Sequence, residues 1–186
     1  DQMDMGIPCG GYMSVIVEPQ MINPTLLIRG MGRVVEVLCQ LANVLKFKVV
    51  VQTSEDEKDR YPEAERIICE PLEMDDIDFK VDYFILATHH RNDDKISYEA
   101  LKKGISYVGV VASKKKTGII TEYLLKNGIS AADLKRFHAP TGLDLKSKSA
   151  EEIALSILSE IIMLKNGGTG EPMRDLNNSD QSNGEG

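Results

Sequence analysis

Four short segments concentrate the side chains that can bind or react. They are Gly30-Met31-Gly32-Arg33, Thr88-His89-His90-Arg91-Asn92-Asp93, Ser113-Lys114-Lys115-Lys116 and His138-Ala139-Pro140-Thr141-Gly142-Leu143-Asp144. The first reads as a glycine turn opening a helix, and a helix start presents unpaired N–H groups that suit an anion. In a dinucleotide fold Gly30 permits the tight turn and Gly32 lets the backbone approach a pyrophosphate. Arg33 stands where it can pair with phosphate, and equally where an exposed arginine commonly opens a helix. The third glycine position holds Val35, and the acidic residue expected about 20 residues on is replaced by Gln52, which can bond a ribose less diagnostically. The lysine run places three positive charges where a helix dipole already favours an anion, and each phosphate contact adds on the order of 1 kcal/mol. His89 and His90 have no third ligand at metal spacing, so no metal site is read. Beyond His89, His90 and His138 no proton-relay group stands out, and no catalytic residue is assigned.

The elements that must position these segments alternate. Residues 25–29 (TLLIR) form an apolar run before the glycine turn, and Val34, Val35, Leu38, Leu41, Ala42 and Leu45 then recur at helical spacing. Residues 48–51, 66–69, 82–87 and 107–112 supply further short apolar runs, as strands covered on both faces require. Helices are expected near 96–103, closed by Gly104, and over 117–126, closed by Gly128. Ser130-x-x-Asp133 and Ser149-x-x-Glu152 resemble capping boxes, the second opening a helix with an apolar stripe of Ile153, Ile157, Leu158, Ile161, Ile162 and Leu164. The pattern predicts an α/β, Rossmann-like doubly wound fold: a mainly parallel sheet of five or six strands with helices on both faces. Gly30, Gly32, Thr88, Ser113 and Lys114 should then share its carboxyl edge, where ligands bind.

Composition bounds the remainder. The chain has 186 residues, a formal charge of −7 and three cysteines without CxxC spacing. The acidic balance argues against nucleic-acid or anionic-membrane binding, no run is long and apolar enough for a membrane helix, and the cysteine usage fits a reducing cytoplasm. Cys39 and Cys69 read as small apolar residues. Residues 167–186 carry few large apolar groups and are expected to be a disordered tail.

The order of motifs resembles the XdhC/CoxI family: GMG, ATHHRND, YVGVVASKKK, FHAPTGLDL and SAEEIALSI follow one another over residues 25–166. The opening PCGGYMSVIVEP resembles the end of that family's N-terminal domain, so residues 1–24 read as its remnant and residues 25–166 as the Rossmann-like domain. Two positions depart from the family pattern: Ala112-Ser113-Lys114 where Gly-Ser-Arg is usual, and Gln52 where an acidic residue is common. The resemblance implies an accessory chaperone, a non-catalytic maturation factor more than an enzyme. It would bind molybdenum cofactor (molybdopterin) as cargo and assist its sulfuration and insertion into an apo molybdenum hydroxylase of the xanthine or carbon monoxide dehydrogenase type. A cysteine desulfurase is implied as a second partner, and a homodimer stays open. The candidate cofactor-binding set is Gly30, Gly32, Arg33, Gln52, Thr88, His89, Asp93, Ser113, Lys114 and His138, with Cys9 in the Cys-Gly-Gly turn as a candidate sulfur or cofactor ligand. NAD(P) stays open as a ligand, as do an NAD(P)-binding oxidoreductase and a nucleotide-sensing module as alternative functions.

Overall fold

The computed structural model describes residues 3–6, 12–15, 23–69, 73–88 and 92–176. A hairpin comes first: β1 (Met3–Gly6) pairs antiparallel with β2 (Tyr12–Val15). The main sheet is built from β3 (Thr25–Gly30), β4 (Lys48–Gln52), β5 (Arg66–Ile68), β6 (Tyr83–Ala87), β7 (Tyr107–Val110) and β8 (Phe137–His138). Its order is β5-β4-β3-β6-β7-β8 and every pairing is parallel. The expected doubly wound sheet is therefore present with six strands.

Strand parity divides the core into two layers. Leu26, Ile28, Val49, Val51 and Ile85 pack with α1 (Arg33–Val44) and α5 (Ala150–Asn166), whereas Leu27, Val50, Phe84, Leu86 and Val108 pack with α2 (Asp93–Lys102) and α3 (Lys114–Lys126). Alternate residues of one strand face opposite layers, and both faces are covered, which is why the strands read as continuous apolar runs. Ser149 caps α5 reciprocally with Glu152, and Ser130 caps the single turn α4 (Ala131–Leu134), as their spacing predicts.

Two helix starts and one strand differ most from the sequence reading. Helix α3 starts at Lys114, three residues earlier than expected, because the Ser113 hydroxyl accepts the Lys116 N–H and fixes the first turn there. Helix α2 likewise starts early, at Asp93. Strand β8 is two residues long and was not anticipated, since so short a run carries no periodicity. After α5 the described chain continues through α6 (Met173–Leu176), one exposed helical turn beside a cleft of about 360 Å³ lined by Leu143, Ile162, Met163 and Leu176. Residues 177–186 lie outside the described residues. Among the described residues no helix is long and apolar enough to cross a membrane.

Candidate functional site

Parallel strands followed by helices place the starts of α1, α2 and α3 at the carboxyl edge of the sheet, and an Arg33–Glu151 ion pair brings the start of α5 to the same edge. Strand order reverses between β3 and β6, and a crevice opens at such a switch point. Gly30 ends β3 directly opposite Ala87 of β6. A Cβ at Gly30 would lie 2.3 Å from the Ala87 carbonyl oxygen, so close approach of two backbones is the reason for glycine there. Gly32 precedes α1 with φ 86° and ψ −170°, a region essentially reserved for glycine. Its Cβ position faces open space. Gly30 itself has φ 156°, so it is required sterically and conformationally, whereas Gly32 is required by conformation.

The glycine turn is occupied by the chain's own side chains. The Gly32 N–H donates to Glu57 Oε2 at 3.2 Å and to the Tyr61 hydroxyl at 3.1 Å, while that hydroxyl donates to Glu57 Oε2 at 3.2 Å. Tyr61 is fully buried, and burial holds its phenol above the ordinary range. Around this plug runs a chain of ion pairs. Arg60 binds Glu57 at 3.1 Å and Glu36 at 3.3 Å, and Arg33 binds Glu36 at 2.7 Å and Glu151 at 2.8 Å. Arg33 is accordingly joined to two carboxylates that link the starts of α1 and α5.

Gln52 ends β4 beside Arg29 of β3, and its Oε1 accepts the Arg29 Nε–H at 2.5 Å. Burial lowers the Arg29 guanidinium from its ordinary value, opposed by Glu73 and Glu99. Thr88 continues β6 and donates its hydroxyl to Asp93 Oδ1 at 2.5 Å. Asp93 is 1% exposed and pairs through its other oxygen with Lys116, so the ends of β6 and β7 are bridged by one buried carboxylate. Thr88 and Asp93 therefore meet Lys116 of the lysine run, as a shared edge requires.

Helix α3 is different in charge from its neighbours. α1, α2 and α5 each carry acidic residues in their first turns, whereas α3 has none and begins with Lys114, Lys115 and Lys116. Positive charge at a helix start opposes the dipole. Lys116 is matched by Asp93, but among the described residues Lys114 and Lys115 are exposed and in no ion pair. The loop after β8 reaches this end of the crevice, because the Thr141 N–H bonds the Val110 carbonyl at 3.1 Å. Asp144 in the same loop is held below the usual carboxylate range by Lys146, with Lys114 a smaller contributor.

His138 ends the two-residue edge strand β8, paired with Gly109, and stacks on Tyr107 with ring centroids 4.2 Å apart. Its Nδ1 is 3.2 Å from Glu160 Oε1, and the Tyr107 hydroxyl and the Gly142 N–H donate to Glu160 Oε2 at 2.5 and 2.7 Å. Burial would raise the Glu160 carboxyl, but the bonds from His138, Tyr107 and Gly142 outweigh it and hold the group below its ordinary range. These contacts fasten α5 to the edge of the sheet and give His138 a partner on that helix.

Cys9 and His89 lie outside the described residues, as do His90 and Arg91. Cys39 is buried, and burial pushes its thiol up to about 12. Cys69 is only half-buried, unlike the apolar role expected of it, and its thiol is also raised, by burial and by Glu55. No group of three or more metal-ligating side chains occurs among the described residues. Sequence reasoning missed Glu57, Tyr61 and Glu160. Glu57 and Tyr61 sit in an irregular segment where no spacing rule applies, and Glu160 looks like one more polar position of an amphipathic helix.

Comparison with known proteins agrees with this architecture. A family model described as the XdhC Rossmann domain matches residues 26–161. The chain is 27% identical over 172 residues to the uncharacterized protein YqeB of Escherichia coli strain K12, covering 89% of this chain and 32% of that protein. It is 27% identical over 156 residues to a probable xanthine dehydrogenase subunit of Bacillus subtilis strain 168, covering 80% of this chain and 44% of that protein. A crystal structure described as a xanthine dehydrogenase from Bacillus halodurans superposes with a TM-score of 0.64 at 29% identity, covering 78% of this chain and 45% of that one. The chain thus spans 32–45% of the length of these relatives. Since the family model covers most of the sequence, including the glycine turn, the lysine-led helix and most of α5, the chain belongs to the XdhC family and carries its Rossmann domain.

Proposed function

We propose that this domain holds molybdenum cofactor for an accessory factor that assists the cofactor's sulfuration and its insertion into a molybdenum hydroxylase of the xanthine or carbon monoxide dehydrogenase type. The observation that carries the reading is the start of α3, where Lys114 and Lys115 are exposed and, among the described residues, in no ion pair, with Ser113 capping the turn. A molybdopterin carries a terminal phosphate, and two ammonium groups with free helix N–H groups suit it. The Bacillus relatives are named a probable xanthine dehydrogenase subunit and a xanthine dehydrogenase, which supports a hydroxylase as the receiving partner. A cysteine desulfurase as sulfur source belongs to the same reading.

In this function the chain's residues bind and orient the cargo. Lys114 and Lys115 hold its phosphate, the Thr88–Asp93–Lys116 bridge keeps the two flanking helix starts in place, and the 139–145 loop lies beside the cargo's phosphate end. An oxidoreductase reading would seat NAD(P) over the glycine turn, where Glu57 now lies, and gains nothing from Gln52, whose amide oxygen is engaged by Arg29.

The test is retention of molybdenum cofactor by the purified protein on a sizing column, for the native chain and for Lys114→Ala/Lys115→Ala. Co-elution with the native chain and loss with the double variant is expected, the loss shrinking at high salt. Equal retention by both proteins, or none by the native chain, would refute the assignment of α3.

A further inference from the structure

The carboxylate at the glycine turn has a consequence for ligand choice. In an open dinucleotide fold the N–H groups behind the second glycine are the donors that meet a pyrophosphate. Here the Gly32 N–H is doubly engaged, by Glu57 Oε2 at 3.2 Å and by the Tyr61 hydroxyl at 3.1 Å. Neither partner is a loose surface contact. Tyr61 is fully buried, its hydroxyl bonds Glu57, and Arg60 clamps both Glu57 oxygens at 3.3 and 3.1 Å. Arg60 is in turn anchored on Glu36, which belongs to α1 itself. The Glu57 side chain is only 21% exposed. A carboxylate so placed supplies the negative charge that the α1 start would otherwise draw from a ligand, and it repels any second anion brought to the same N–H group.

We propose that Glu57, positioned by Tyr61 and Arg60, is a built-in occupant of the glycine turn that makes this Rossmann domain select against dinucleotides. Backbone geometry accounts for both glycines, Gly30 through its contact with Ala87 and its φ of 156° and Gly32 through its φ of 86°, while the Gly32 N–H is engaged from within. Arg33, at the first position of α1, is bound to Glu36 and Glu151 and adds no attraction for phosphate. Anions are directed instead to the other end of the edge, where α3 opens with lysines. The inference shares a crevice with the proposed cofactor site but does not rest on it, since it is read with dinucleotides and no molybdenum cofactor.

The probes are NADPH and NADH, titrated into the native chain, Glu57→Gln and Glu57→Ala by calorimetry and nicotinamide fluorescence. Glu57→Gln removes the charge at constant size, and Glu57→Ala removes the side chain as well. The native chain should fail to saturate at millimolar dinucleotide, and Glu57→Ala should bind at least tenfold more tightly, with Glu57→Gln between. Saturable micromolar binding by the native chain would overturn the proposal. So would folded variants, verified by circular dichroism, that bind no better than the native chain. If both variants fail to fold, amide exchange in the native chain decides. A Gly32 N–H protected and unchanged on adding NADPH supports the internal occupant, whereas a fast-exchanging Gly32 N–H, or one that becomes protected only with NADPH, overturns it. Gain of NADPH binding without loss of molybdenum cofactor retention would also separate this inference from the α3 assignment.

Discussion

Replacing Glu160 by alanine removes the acceptor at which three elements meet: His138 of β8, Tyr107 of β7 and the Gly142 N–H. Each hydrogen bond to a charged group contributes about 1.5–3 kcal/mol, but the three do not add. Tyr107 keeps a 2.5 Å bond to Thr141, and Glu160 with 15% of its side chain exposed also sheds a burial cost when removed. Against this, the Gly142 N–H is left without its partner in a partly buried place. A net loss of about 3 kcal/mol is expected, which for a domain of this size corresponds to a fall in Tm of about 6–12 °C. Urea unfolding at pH 7 measures it directly, and the native chain adds a second reading through pH. The folded Glu160 pKa is depressed, so in the window between it and the unfolded value of about 4.3 the unfolded chain binds more protons. Glu160's contribution is therefore present above the unfolded value and is lost as pH falls through the folded one. Glu160→Gln should cost less than Glu160→Ala at pH 7 and flatten the acid limb of the stability profile. A Glu160→Ala chain less than about 1 kcal/mol weaker than native, or an acid limb unchanged in Glu160→Gln, would refute the network as the fastening of α5.

Other outcomes follow from the same geometry. Gly30→Ala drives a Cβ into the Ala87 carbonyl and should destabilise by about 3 kcal/mol or more, read by denaturation, because both groups are backbone at the centre of the sheet. Gly32→Ala meets open space and should cost only the strain of its backbone region, about 1–3 kcal/mol, leaving the fold intact by circular dichroism. Asp93→Ala unpairs Lys116 and frees Thr88, and should lower stability by about 3 kcal/mol in a thermal melt, whereas Asp93→Asn should cost less. The Cys39 thiol, pushed up to about 12 by burial, should resist alkylation at pH 8 until urea unfolds the chain, as peptide mapping by mass spectrometry will report.

The parallel α/β layout was legible because it rests on local rules. Apolar runs bounded by glycine and serine announce strands and helix starts, and parallel connectivity alone then brings the starts of α1, α2 and α3 to one edge. Hence Gly30, Gly32, Thr88, Ser113 and Lys114 could be expected on one edge from spacing, whereas the Asp93–Lys116 pair found there could not. The capping serines at positions 130 and 149 were equally readable, since a cap is a bond between residues three apart. The beginning of α3 was misread by three residues because lysines are neutral in pattern, and the Ser113 hydroxyl settles the boundary.

What the charges do at that edge was decided only by tertiary structure. Arg33 and Lys116 look alike in sequence as cations at helix starts, yet one is joined to Glu151, 118 residues away, and the other to buried Asp93. Glu57 reaches Gly32 across 25 residues from a segment with no regular period, and His138 finds Glu160 on a helix face whose spacing announces only burial. Periodicity reports which side of an element is apolar, because hydrophobic burial is non-directional and set by local order. Hydrogen bonds and ion pairs need a particular atom at about 3 Å, and which atom arrives there depends on how distant segments are folded onto one edge.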